Sequence, residues 1–180
     1  MPTLPLMPIK TNQSPTTMNT TLNWDAASFF ATLTTKNKHA IANNFTFCRV
    51  SGLDGFEEAL QTMQSATAFI AVSDISQGYM EINNSPHTRR VKTVFLAMRH
   101  AIDDMEARQT CMDTMRELFR QLMSVLIQER TRLEQQQLYL DPRIAFNEID
   151  QYFFSGCACA YFQISVDTYT DLRYNADEWK

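Results

Sequence analysis

The stretch IDDMEARQTCMDTMRELFRQLMSVLIQERTRLEQQQ, residues 102–137, decides the fold. Met105, Met112, Phe119, Leu126 and Leu133 recur every seven residues, with Met115 and Leu122 falling between them. Apolar side chains at that spacing line one stripe of an α-helix. Asp103 or Asp104 supplies an N-cap, and acidic residues occupy the first turn, where the helix dipole favours them. The pattern predicts one helix on the order of 30 residues, about 45 Å long at 1.5 Å per residue. A coiled-coil seam would carry the same stripe, but the spacing breaks at Arg108 and Glu129. Packing across a sheet is therefore expected.

The sheet has to come from the segments on either side. Upstream, ATAFIAVS is apolar on both faces, as a central strand would be. GYMEIN follows the turn-prone SDISQG, and RRVKTVFLAMRH follows NNSPHT, with Arg90 and Lys92 alternating against Val91, Thr93 and Phe95. The three runs predict an antiparallel meander. Downstream of LDPRIAF, NEIDQYFF and CACAYFQISVDTY are separated by the turn pair Ser155-Gly156 and predict a C-terminal hairpin. In its second strand Ala158, Ala160, Phe162, Ile164 and Val166 share one face, and Cys157, Cys159, Tyr161, Gln163 and Ser165 the other.

Further toward the N-terminus, NWDAASFFATL offers Asn23 or Asp25 as a cap for a helix that turns Phe29, Phe30 and Leu33 to the core. NNFTFCRV alternates Phe45 and Phe47 as a short strand. SGLDGFEEALQTMQ predicts a short helix carrying Phe56, Leu60 and Met63, with Asp54 as its cap. The expected fold class is thus α+β: an antiparallel sheet, made of a three-strand meander plus a C-terminal hairpin, packed on one long amphipathic helix and shorter N-terminal helices. Residues 24–180 form a single domain in this reading. Residues 1–23, rich in Thr, Asn, Pro and Met with Lys10 as the only charged side chain, form a flexible arm. Its Leu4, Leu6, Met7 and Ile9 are apolar residues that a purely solvating tail would not need. They suit a segment that orders on a neighbouring subunit.

Composition bounds the function. The 180 residues are 44% hydrophobic and 20% charged, as in a soluble globular protein. A net charge of −4 lacks the basic balance of a dedicated duplex-binding protein, so no specific nucleic-acid partner is expected. Three prolines interrupt MPTLPLMPIK and no basic region precedes it, so it does not read as a signal peptide. No run of 18 apolar residues occurs, which argues against a membrane partner. Cys48, Cys111, Cys157 and Cys159 are too few for a disulfide scaffold and read as reduced thiols in a cytoplasm-like compartment.

The residues that could carry chemistry do not assemble into a site. Cys157 and Cys159 point the same way on a strand, but the other metal-ligand candidates, Cys48, Cys111, His39, His87 and His100, show no paired ligand spacing. Cys-x-Cys is also not the redox turn Cys-x-x-Cys, and buried cysteine commonly behaves as a small hydrophobe. A Cys–His nucleophile using His100 lacks an orienting third group. His100 reads as a strand-end residue, and His39 and His87 as loop residues. Asp103, Asp104 and Glu106 are accounted for by helix capping. Four glycines form no phosphate-binding pattern. Arg89, Arg90 and Lys92 read as a solvated strand edge whose charges discourage aggregation. No enzyme, cofactor or metal is called for. The alternative is a small cytoplasmic enzyme or ligand-binding module using the Cys157/Cys159 strand face.

TAFIAV, RRVKTVFLAMRH, the long helix from Asp103 and the closing YFQISVDTYTDLRYN together resemble the tail terminator, or tail-completion, proteins of long-tailed bacteriophages. The likeness runs from about Trp24 to Trp179. SGLDGFEEAL and DLRYNADEW are similar in texture to prophage proteins of Bacteroides-type gut bacteria. The resemblance implies a virion structural protein assembled in the bacterial host cytoplasm. Such a subunit forms a ring with copies of itself, usually six, that caps the finished tail tube protein and docks to the head connector in the neck. It implies no catalytic residues. Leu4, Leu6 and Ile9 of the arm, with Arg89 and Arg90, are the expected assembly contacts.

Overall fold

The computed structural model describes residues 24–75, 77–83, 85–149 and 156–179. The elements run α1 (Ala26–Lys36), α2 (Lys38–Ala42), β1 (Phe45–Val50), α3 (Leu53–Thr62), β2 (Ala68–Ser73), β3 (Gln77–Glu81), β4 (His87–Arg99), α4 (Met105–Glu134), β5 (Leu138–Leu140), β6 (Phe146–Ile149) and β7 (Cys157–Tyr169). A single 3-10 turn, Ala176–Glu178, follows. The α+β class and the long helix agree with the sequence. The antiparallel sheet needs correction.

Seven strands form one mixed sheet. Its centre is β4 against β7, paired antiparallel from His87↔Tyr169 to Arg99↔Cys157. β2 pairs with the second half of β4, at Val94–Met98, and β3 with the first half, at His87–Val91. β2 and β3 therefore lie end to end along one flank of β4 rather than in a meander. β5 and β6 share the outer flank of β7 in the same way, and the β6–β7 pairing is the C-terminal hairpin. Only Phe146–Ile149 of its first strand lies within the described residues.

β1 runs parallel to β2. The cause is α3, a helical crossover that carries the chain back so that β2 sets out in the direction of β1. Gly52 makes this connection possible. It precedes the helix at φ 134°, ψ −156°, a region open essentially to glycine alone. Asp54 lies inside the first turn of α3 and does not cap it.

The first face of the sheet carries the larger core. α4 spans 30 residues, with Asp104 as its N-cap, accepting from Ala107 N at 2.8 Å. Cys111, Met112, Met115, Leu118, Leu122, Leu126 and Leu133 are buried, facing Val94, Leu96, Ala160, Phe162 and Ile164. Met105 departs from the expected stripe and is 55% exposed. It lies only about 20° around the helix from the buried Met112 but is the first residue of α4, so its place at the helix end, not its angle, sets it apart from the stripe. Phe119 is half-buried on the flank of that face, tilted against Phe146 at 4.6 Å and Phe162 at 5.1 Å. α1 packs beside α4 through Phe30 and is capped by Asp25, which accepts from Ser28 N at 3.0 Å. Those bonds to Ser28 hold the Asp25 carboxyl below its ordinary range. Asn23 lies outside the described residues.

His39 is not in a loop. It belongs to α2, and its Nε2 meets the carbonyl of Thr114 at 3.0 Å, tying α2 to α4. His87 likewise opens β4.

Candidate functional site

Among the described residues, the second face of the sheet is covered only in part. α3 lays Phe56 flat on Phe95, rings 4.8 Å apart and 12° from parallel, and adds Leu60 over Phe69, Ala71 and Ala97. Arg99 at the end of β4 fixes the helix there. Its Nε donates to the Ala66 carbonyl at 2.9 Å, its Nη2 to the Leu60 carbonyl, and its guanidinium stacks on Phe69 at 5.5 Å. A cation bonded to the last carbonyls of a helix also complements the helix dipole.

Cys157 and Cys159 lie in this covered half, 4% and 1% exposed. Burial raises the pKa of both thiols, and it also raises Cys111 and pushes Cys48 up to about 11. All four cysteines are free thiols. Neutral, buried thiols are poor nucleophiles and poor metal ligands, because both roles need the thiolate. Among the described residues no group of three or more His, Cys, Asp or Glu side chains is placed to hold a metal ion. The ring of His100 turns its Nδ1 to the Ala101 carbonyl at 2.7 Å.

Beyond α3 none of the described residues covers the second face. One row crosses four strands there, set by the register Tyr79↔Arg89, Arg89↔Asp167 and Tyr139↔Asp167. At its centre Arg89 grips Asp167 with both prongs, Nε to Oδ1 at 2.7 Å and Nη2 to Oδ2 at 2.6 Å. Its Nη1 lies 3.3 Å from Asp141 Oδ2, and the guanidinium stands 5.7 Å from the Tyr79 ring. The hydrogen bonds to Asp167 raise the Arg89 pKa above its ordinary value. Such a two-pronged pair is geometrically specific, and at 27% and 22% side-chain exposure it is only partly screened by water.

The reading of Arg89, Arg90 and Lys92 as a solvated edge is therefore corrected. β4 has strands on both sides, so it is not an edge. Alternation sends Arg89 to the second face and Arg90 and Lys92 to the first, both half-buried. Lys92 is spent on the carbonyls of Ser73 and Asp74, at 3.0 and 2.6 Å, and burial lowers its pKa despite the nearby Asp74. The structure does not bring Arg89 and Arg90 into one contact patch.

What the open half presents instead is aromatic. Tyr79, Tyr139 and Tyr169 are 52%, 53% and 58% exposed. His87 sits edge-on to Tyr79 at 6.3 Å and pairs in register with Tyr169. A shallow pocket of about 240 Å³ lies among Pro86, His87, Tyr139 and Tyr169. A larger groove of about 550 Å³ runs between this strip and α3, lined by Ile75, Gln77, Val91, Thr93, Tyr161 and Gln163 among others. Exposed tyrosines around a neutralised arginine match the composition of protein–protein contact surfaces. The sequence does contain the signal. The face of Tyr161, Gln163 and Ser165 continues through Asp167 to Tyr169, but nothing in the alternation shows that α3 stops short of it.

Leu4, Leu6 and Ile9 lie outside the described residues. No helix among the described residues is long and apolar enough to cross a membrane. The fold and this face define an α+β protein with a helix-backed mixed sheet, half open on its second side. No protein-family model matches the chain, and no curated protein is significantly similar to it.

Proposed function

We propose that the protein is a virion structural subunit of a long-tailed bacteriophage, a tail terminator that joins copies of itself into a ring. The ring, of six subunits, caps the tail tube and docks to the head connector. The observation that carries an assembly role is the open half of the second face. Three tyrosines more than half exposed, a groove of about 550 Å³ and an arginine already paired make a surface suited to another protein. The thiols that would serve the alternative, a small enzyme, are buried in the second-face core with raised pKa values.

Native mass spectrometry and sedimentation velocity test the reading on the full chain. The expected particle is six times the 20.8 kDa subunit, ring-shaped in negative stain. The Tyr79→Ser, Tyr139→Ser double variant should shift it to smaller species with its circular dichroism unchanged. A strict monomer at tens of micromolar, with or without purified tail tube protein, would sink the proposal.

A further inference from the structure

The tyrosine strip has the chemistry to receive one particular segment of this chain. Pro2, Pro5 and Pro8 are spaced every third residue, so the run PTLPLMP contains two overlapping Pro-x-x-Pro units. A polyproline II helix repeats every three residues at about 3.1 Å each. At that period the three prolines fall on one ridge, Leu4 and Met7 on a second, and Leu6 and Ile9 on the third. Segments of this kind dock on aromatic-lined grooves, because the preformed helix loses little entropy and flat rings pack on proline. We propose that residues 2–9 of one copy dock in this conformation across the strip formed by Tyr79, His87, Tyr139 and Tyr169 of a second copy.

The dimensions agree. Tyr79 and Tyr139 stand on the outer two of four adjacent strands, and three interstrand gaps of about 4.8 Å separate them by about 14 Å. That is the length of four to five polyproline II residues, so Pro5 and Pro8, about 9 Å apart, both fall within the strip. The charges agree as well. Residues 2–9 carry no charged side chain, and the strip's own cation, Arg89, is already paired with two carboxylates, Asp167 and Asp141. A ligand without charged side chains thus buries no unpaired cation of the strip. Tyrosine hydroxyls can donate to the ligand's carbonyls, which a proline-rich backbone offers in excess of its donors.

Trp24, where the described chain begins, is packed on the first face, with its Nε1 donating to Glu129 Oε1 at 3.2 Å. A chain's own strip is on the far side of its sheet, within the roughly 45–50 Å that residues 10–23 span when extended, so the choice of a second copy comes from self-association and not from reach. The inference rests on the self-associating reading above.

Photo-cross-linking tests it with the full chain. Benzoylphenylalanine replaces Leu6, the product is mixed with an equal amount of ¹⁵N-labelled chain, and cross-linked peptides are mapped. Mixed light–heavy peptides containing Tyr79, Tyr139 or Tyr169 are expected. The Pro5→Ala, Pro8→Ala variant and the Tyr139→Ser, Tyr169→Ser variant, both folded by circular dichroism, should each associate at least tenfold more weakly. Cross-links that stay within one chain or map elsewhere, in a protein that still forms rings, overturn the docking alone. A monomer at every concentration overturns both the docking and the ring.

Discussion

Phe162 is the side chain on which the first-face core turns, and its truncation gives the sharpest stability test. It is 0% exposed at the middle of β7, opposite Val94 on β4 and Phe146 on β6. Phe30 of α1 meets it edge-on at 5.9 Å, and Phe119 of α4 at 5.1 Å. Phe162→Ala removes the ring where both helices meet the sheet, and the neighbouring strands, held by their ladders, cannot close the space. Phe→Ala changes in such cores cost about 3–5 kcal/mol. Each lost aromatic pair adds roughly 0.5–1.5 kcal/mol beyond buried area, which places this site near 5 kcal/mol. Against a total stability of about 5–15 kcal/mol, that is a third or more. At roughly 2–4 °C per kcal/mol for a chain of this size, Tm should fall by about 10–20 °C. Urea unfolding followed by far-UV circular dichroism reads the loss directly, and m should be unchanged. Phe119→Ala, half-buried on the flank of α4, should cost less, about 2–3 kcal/mol. A loss below about 1.5 kcal/mol for Phe162→Ala, or an order reversed between the two variants, would refute this account of the core.

Other perturbations follow from the same geometry. A Cβ on Gly78 would lie 1.8 Å from the Arg89 carbonyl, so Gly78→Ala should push β3 off β4, cost about 1–3 kcal/mol and free Tyr79; an unshifted urea midpoint would contradict it. Asp104→Ala removes the cap on Ala107 N and should cost about 1 kcal/mol, whereas Asp103→Ala, which removes no cap, should be near neutral by the same titration. Burial pushes the Cys48 thiol from 9.0 up to about 11, so the unfolded state ionises first as pH climbs. Its contribution is complete below about pH 9 and is lost between about 9 and 11. Cys48→Ala should lessen the fall in urea midpoint between pH 8 and pH 11, and an identical fall in both proteins would count against it. Native Cys157 and Cys159 should react with a thiol reagent only as fast as the protein unfolds, since both are nearly inaccessible.

The sequence by itself determined the elements with strong local signatures. α4 was legible from its stripe and from an acidic cap at Asp103 or Asp104, of which packing of the turn selected Asp104, because both signals are written within one turn or a few turns of the helix. The two faces of β7 were legible because strand alternation is strictly local. Tertiary structure decided everything that depends on which segments meet. β1 lies parallel to β2, and β2 and β3 divide one flank of β4, because α3 returns the chain and β4, at 13 residues, is long enough for two partners. The short strand β5 exists only through its pairing with β7, since three residues carry no period of their own. Arg89 looked like a solvated charge until Asp167 and Asp141, 78 and 52 positions away, were brought beside it. The candidate face was hidden for the same reason. Alternation names the residues on a face, but whether a helix covers them is settled by packing between segments distant in the chain.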